Sequence, residues 1–271
     1  MKQIHKLKDW QVNAVQISRP ARNVLLQAPG GAGKSLTQVM QAQADIEDTG
    51  NKQLICVPKN HIHHGFFDED AIEFTLPGAS QPSRWEVSFN FCDKSDSKTK
   101  RLKAFLLSDV NELRFSNSLA AICTHKALVE AWARMSKSEK RQALKHISFR
   151  IDEAHHLSNV FHENDLDLFN RKDKEVIKRS ATKLGNFVNY VLRVDDETVK
   201  MHLATATFFR GDQQTILSKR FKDDFTHYCF RGMSILRRLA SNTLAWIFCP
   251  TQKIRSRPLL VWWKLNRTST I

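Results

Sequence analysis

The chain has 271 residues, 41% hydrophobic and 26% charged, which is enough to bury a sizeable core and excludes a disordered polymer. Its five cysteines (Cys56, Cys92, Cys123, Cys229 and Cys249) are scattered and form no CxxC pair, which argues against a disulfide framework or a zinc site. The formal net charge of +14 is concentrated at the end: beyond Asp224 there is no acidic residue, whereas the first 224 residues carry 34 basic against 28 acidic groups.

In chain order, an apolar-periodic stretch from Leu7 to Ile17 predicts a helix, and NVLLQ (Asn23 to Gln27) a short buried strand. A glycine turn follows, then a helix from Lys34 to about Ile46. LICV (Leu54 to Val57) is a second strand, stopped by Pro58, and His61, His63 and His64 fall in an expected surface loop behind it. LPGASQPS (Leu76 to Ser83) reads as a loop, EVSFNF (Glu86 to Phe91) as an edge strand, and the charge run Asp93 to Arg101 as solvated. AAIC (Ala120 to Cys123) and ISFRID (Ile147 to Asp152) are further buried strands. Leu184, Phe187, Val188, Val191 and Leu192 fall at helical spacing, and HLAT (His202 to Thr205) is a last strand. Strands alternating with helices predict an α/β fold with a mostly parallel sheet flanked by helices, and ligands at the carboxyl ends of the strands. The N-terminus MKQIHKLKDWQV has no apolar h-region and no uncharged run is long enough to span a bilayer. A cytoplasmic protein without a membrane partner is therefore expected.

Two short segments carry chemistry. Ala28-Pro29-Gly30-Gly31-Ala32-Gly33-Lys34-Ser35 sits directly after a strand and opens a helix, as a P-loop (Walker A) must. Glycines let backbone N–H groups curl around phosphate oxygens, and the helix N-terminus adds partial positive charge. Lys34 is placed to reach the β- and γ-phosphates of ATP, and the Ser35 hydroxyl to ligate Mg2+. The strict pattern has glycine where this chain has Ala28. At the end of ISFRID stands Asp152-Glu153-Ala154-His155. A carboxylate at the tip of a buried strand suits a magnesium site, so Asp152 is expected to hold the ion and Glu153 to polarise the attacking water as general base.

Together, APGGAGKS and DEAH resemble the superfamily 2 helicases and translocases. Leu7-Lys8-Asp9-Trp10-Gln11 resembles the upstream glutamine motif of the branch that includes the type III restriction motor subunits; there the resemblance implies that Gln11 reads adenine. Ala204-Thr205-Ala206-Thr207, continuing as Phe208-Phe209-Arg210-Gly211-Asp212, resembles that branch's third motif, with Phe208 where proline is usual. Leu54 to Pro58 and AICTH (Ala121 to His125) resemble strand-end motifs that touch the nucleic-acid backbone. The resemblance covers residues 1–212 and implies a first RecA-like helicase ATP-binding domain, with Gln11, Gly30, Gly31, Ala32, Gly33, Lys34 and Ser35 around the nucleotide. It further implies that His155, Thr205 and Thr207 couple the nucleotide site to the third motif.

Such motors hydrolyse ATP between two RecA-like domains, and no QxxGRxxR-like arginine-finger motif occurs here. The expectation is the front half of a motor, with low ATPase activity alone and a second motor domain or subunit acting in trans. Nucleic acid is the expected partner, DNA ahead of RNA, since a basic surface attracts phosphate backbones. The alternative is a catalytically weak, nucleotide-gated nucleic-acid-binding module, or a truncated remnant. Residues 213–271 form a basic extension with eight Lys or Arg after Asp224 and three of the six tryptophans (Trp246, Trp262 and Trp263). It reads either as a basic-aromatic arm for single strands or as a C-terminus foreign to the family. The abrupt change of composition near Tyr228 favours the second.

Overall fold

A strand buried on both faces must be apolar at consecutive positions, and parallel sheets covered by helices consist of such strands. The computed structural model describes residues 6–58, 66, 71–93, 95, 97–157, 183–207, 217 and 223–230. Among them the apolar runs do form a parallel sheet. β1 (Asn23–Gln27), β2 (Lys52–Val57), β5 (Phe89–Phe91), β6 (Ala120–Thr124), β7 (Ile147–Ile151), β8 (Val199–Thr205) and β9 (Thr226–Cys229) lie in the order β5-β6-β2-β7-β8-β1-β9. Every pairing in this seven-stranded sheet is parallel. β3 (Ile72–Phe74) and β4 (Ser83–Trp85) make a separate antiparallel ribbon around the expected Leu76 to Ser83 loop.

Alternate residues of the strands feed two cores. Leu25, Leu54, Phe149, Met201 and Leu203 pack against α3 (Lys98–Leu107), α5 (His125–Ala133) and α7 (Lys183–Leu192). Ile55, Val57 and Ile122 face Val15 of α1 (Asp9–Ser18), Val39 and Met40 of α2 (Lys34–Thr49), and Phe74 and Trp85 of the ribbon. Two short helices, α4 (Val110–Phe115) and α6 (Lys137–Ala143), complete the described helical layer. The architecture is α/β and RecA-like: a parallel sheet with helices on both faces. Among the described residues, no helix is long and apolar enough to cross a membrane.

The expected solvated run Asp93 to Arg101 is helical in its second part. α3 starts at Lys98 and buries Thr99, Leu102, Phe105 and Leu106, a spacing that turns one stripe to the core while the lysines and Arg101 stay outside. The chain divides into two units, Met1–Gly232 and Met233–Ile271, and every described residue belongs to the first. The first unit therefore extends past the expected boundary at residue 212, because β9 pairs with β1 at the sheet edge. Tyr228 and Phe230 pack there beside Trp10, whose ring stacks on Phe230 at 4.6 Å. His61, His63, His64, residues 208–212 and the basic tail beyond Phe230 lie outside the described residues.

Candidate functional site

The glycine-rich turn leaves β1 at Ala28, whose N–H donates to Thr205 O at the tip of β8 (3.1 Å). Gly31 and Gly33 take left-handed backbone angles, φ 72° and 103°, that only glycine adopts cheaply. The N–H groups of Gly31, Gly33, Lys34 and Ser35 have no backbone acceptor among the described residues. They cluster at the N-terminus of the sixteen-residue α2, where the helix dipole adds positive charge. Lys34 is buried and its Nζ lies 3.3 Å from Pro29 O, curled back over the turn.

Gln11 underpins this turn. Its Nε2 donates to Gly33 O (3.2 Å) and Thr37 Oγ1 (3.3 Å), and its Oε1 accepts from Lys8 N (3.0 Å). Both amide hydrogens are thus used on the loop and on α2. What remains for a ligand is one lone pair on Oε1. A Cβ on Gly33 would come within 3.0 Å of Gln11 Nε2, so the glycine and the glutamine require each other.

β7 delivers Asp152 to the same edge of the sheet. Asp152 N donates to Cys56 O (2.9 Å), and its Oδ1 accepts from Gln38 Nε2 (2.9 Å), one helical turn beyond Lys34. β8 lies between β1 and β7, so the turn and the carboxylate stand across one intervening strand rather than on neighbouring strands. Burial and then the Glu153 charge push the Asp152 carboxyl up to about 6, while Gln38 and Lys34 oppose the rise. A nearly buried carboxylate raised in this way, facing a turn rich in unused N–H donors, fits a divalent cation and a phosphate: the cation would relieve the carboxylate and the phosphate would fill the donors.

Glu153 has a left-handed backbone (φ 48°, ψ 51°), a conformation that costs a non-glycine residue roughly 1–3 kcal/mol. Its Oε2 lies 3.2 Å from His155 Nδ1, close enough for ion pairing though off the hydrogen-bond direction. His155 in turn lies against His156, ring centres 4.3 Å apart. His155 lies in the short helical turn Ala154–His156, which packs against β8, the strand that ends at Thr205. Thr205 Oγ1 donates to Thr207 O (2.6 Å), and a backbone bond from Ala28 N to Thr205 O joins this segment to the turn.

His125, expected in a strand-end motif facing nucleic acid, turns inward instead. Its Nε2 donates to Cys56 O (3.2 Å) and Asp152 O (3.1 Å), tying together the tips of β2, β6 and β7. Burial lowers its pKa to about 4 against the pull of the two carbonyls, so the ring is neutral, and two carbonyl partners require the proton on Nε2.

Beneath the turn, α2 is bolted to the sheet by charged groups that the sequence reading passed over. Asp45 accepts from Gln53 Nε2 (2.7 Å), Lys200 Nζ (2.5 Å) and Ser148 Oγ. Fully buried Arg150 donates from Nε to Gln53 Oε1 (3.0 Å), from Nη2 to Gln41 O (2.9 Å) and from Nη1 to His202 Nδ1 (2.6 Å). An arginine cannot accept, so the His202 proton sits on Nε2; burial and then Arg150 keep that ring neutral. Burial pushes the Asp45 carboxyl up, but Arg150 and Lys200 overcome it and hold it at about 2.

Neither a protein-family model nor a curated protein sequence matches the chain. Among solved structures it is similar to T4 UvsW, at 14% identity and a TM-score of 0.38, over 82% of this chain and 33% of that one. A second structure, of the UvsW helicase from bacteriophage T4, matches at 16% identity and a TM-score of 0.38, over 82% of this chain and 59% of that one. The DUF1998 helicase MrfA, solved with DNA and AMPPNP, matches at 13% identity and a TM-score of 0.37, over 83% of this chain and 27% of that chain. The chain thus spans about a third of the first of these proteins' structures and less than two thirds of the second.

Proposed function

We propose that this chain is an ATP-binding motor domain of the superfamily 2 helicase kind, working on nucleic acid, with DNA ahead of RNA. ATP hydrolysis is then coupled to that nucleic acid and to a second motor domain. The observation that carries this reading is the Gln38 bridge. A helix opened by a glycine turn and Lys34 is tied, one turn on, to a buried carboxylate from a strand 114 residues away. That geometry brings the unused N–H donors of the turn and the Asp152 carboxylate to one edge of the sheet, which supports a phosphate cradle beside a cation ligand.

In this reading the N–H groups of Gly31, Gly33, Lys34 and Ser35 hold the phosphates, and Lys34 swings from Pro29 O to neutralise their charge. Ser35 and Asp152 would hold magnesium, which would supply charge neutralisation to the phosphates when bound. Glu153 orients the attacking water and takes its proton, and Gln11 fixes the loop conformation that the nucleotide meets. The basic balance of the first 224 residues supplies the attraction for a phosphate backbone.

Lys34→Ala is expected to abolish binding of a fluorescent ATP analogue in a chain whose circular dichroism is unchanged. Glu153→Gln should keep that binding and lower nucleic-acid-stimulated hydrolysis by about 10²–10⁴-fold, the usual worth of a general base. Unaltered analogue affinity in folded Lys34→Ala rules out the phosphate cradle. Hydrolysis that nucleic acid fails to raise, with a second motor domain present, favours a nucleotide-gated binding module instead.

A further inference from the structure

The end of the sheet opposite the candidate site carries a cavity of about 520 Å3. Lys52 opens β2 and His146 immediately precedes β7, whereas the glycine turn follows the far end of β1. Because these strands are parallel, the cavity lies at their N-terminal edge, away from Lys34 and Asp152. Its lining places Lys52, Arg114, Arg141, Lys145 and His146 around a single carboxylate, Asp109.

The walls are fixed by bonds to backbone. Lys52 is 1% exposed, and its Nζ donates to Leu106 O (2.8 Å) and Ser108 O (3.1 Å), leaving one of three ammonium hydrogens uncommitted. Gln142 Nε2 holds Leu107 O (2.9 Å), and Arg114 clamps Gly50 O and Thr49 O at the end of α2 (2.9 and 2.7 Å). Asp109 accepts from Asn111 N (2.7 Å), capping α4. Arg141 and Lys145 are exposed and make no side-chain hydrogen bond or ion pair among the described residues.

A buried cation is ordinarily met by a carboxylate, yet among the described residues no ion pair to Lys52 is formed. Burial lowers its pKa to about 8 in spite of Asp109, so an anion in the cavity would have a charge to stabilise. Phosphate offers three terminal oxygens and nearly two charges, which suits convergent lysine and arginine donors better than a carboxylate does. The volume falls in the range of small-ligand sites and exceeds what one phosphate fills, leaving room for the group that carries it.

We propose that this basal cavity binds the phosphate group of a phosphorylated ligand, with Lys52 at its floor and Arg141 and Lys145 at its mouth. The proposal is independent of the nucleotide reading. It is tested on the full chain carrying Lys34→Ala, with inorganic pyrophosphate as probe and titration calorimetry as readout. Saturable binding is expected, weakened about tenfold or more by adding Arg141→Ala and Lys145→Ala. Arg141→Lys with Lys145→Arg should retain most of it. In the otherwise native chain the double alanine variant should keep its ATP-analogue affinity, since neither residue lies near the turn. Displacement of pyrophosphate by a mononucleotide but not by a single-stranded oligonucleotide assigns the phosphate to a small molecule. Displacement by both assigns it to a nucleic-acid backbone. No pyrophosphate binding by the Lys34→Ala chain, or full affinity in the double alanine variant, overturns the proposal.

Discussion

Gly33 answers two demands at once: a backbone at φ 103° and clearance for the Gln11 amide that grips the same turn. Such local requirements are legible in sequence, because the turn, Lys34 and the Asp152-Glu153 pair each lie in a few consecutive residues. Gln38 and the inward turn of His125 were not legible, since their partners come from strands that only the folded sheet brings near. Asp152 shows what the arrangement costs in stability. Its carboxyl titrates near 6 in the fold, so between the ordinary carboxylate range and pH 6 the folded chain holds a proton that the unfolded chain has released. Stability from this group therefore falls as pH rises through that window and stays lower above it. Asp152→Asn keeps an acceptor for Gln38 and removes the penalty. In melts without nucleotide or magnesium at pH 8 it should gain on the order of 2 kcal/mol, about 4–8 °C, with little gain at pH 4. A lower melting temperature at pH 8 contradicts this account.

At the scale of elements, α2 is the hub, opening on the turn and fastened by Asp45 and Gln41 O to β2, β7 and β8. Removing one member of a buried charged set leaves the others uncompensated, typically at about 3–5 kcal/mol. Asp45→Ala should lose about that much in urea unfolding at neutral pH, because it strands Arg150 in the core. The Asp45 contribution is present above the ordinary carboxylate range and is lost as pH falls through about 2, so the gap between wild type and variant should close in acid. Strand positions were largely readable: β1 matches NVLLQ, and β2, β6, β7 and β8 contain or nearly coincide with the expected apolar runs. β9 was missed because THYC is short, polar in part and half-buried at each position, a strand made by its neighbour rather than by its own pattern. The ribbon β3–β4 was missed for a like reason, with three residues a side. α3 was missed because its exposed lysines dominate the composition of a helix whose buried stripe is only a few residues wide.

For the molecule as a whole, β9 sets where the chain can be cut. A chain ending after Gly232 keeps every described element, and its ATP-analogue affinity and melting temperature should match the full chain. A chain ending at Phe225 loses β9 and the rings of Tyr228 and Phe230 beside Trp10, and opens the β1 edge. It should melt several degrees lower, each lost aromatic pair being worth about 0.5–1.5 kcal/mol, and elute partly aggregated from a sizing column. The pairing of β1 also has a consequence for how the protein is made. Among the described residues β1 bonds in the sheet only to β8 and β9, both of which come late in the sequence. On the ribosome, at about 5–20 residues per second, the segment emerging first waits on the order of ten seconds or more for its partners. Meanwhile β2, β6 and β7 already have one another. The strand that leads into the glycine turn thus joins the sheet only once β8 is made, ahead of β9 alone, and a nascent chain stalled before Val199 would carry that turn with neither neighbour of β1 to pair with.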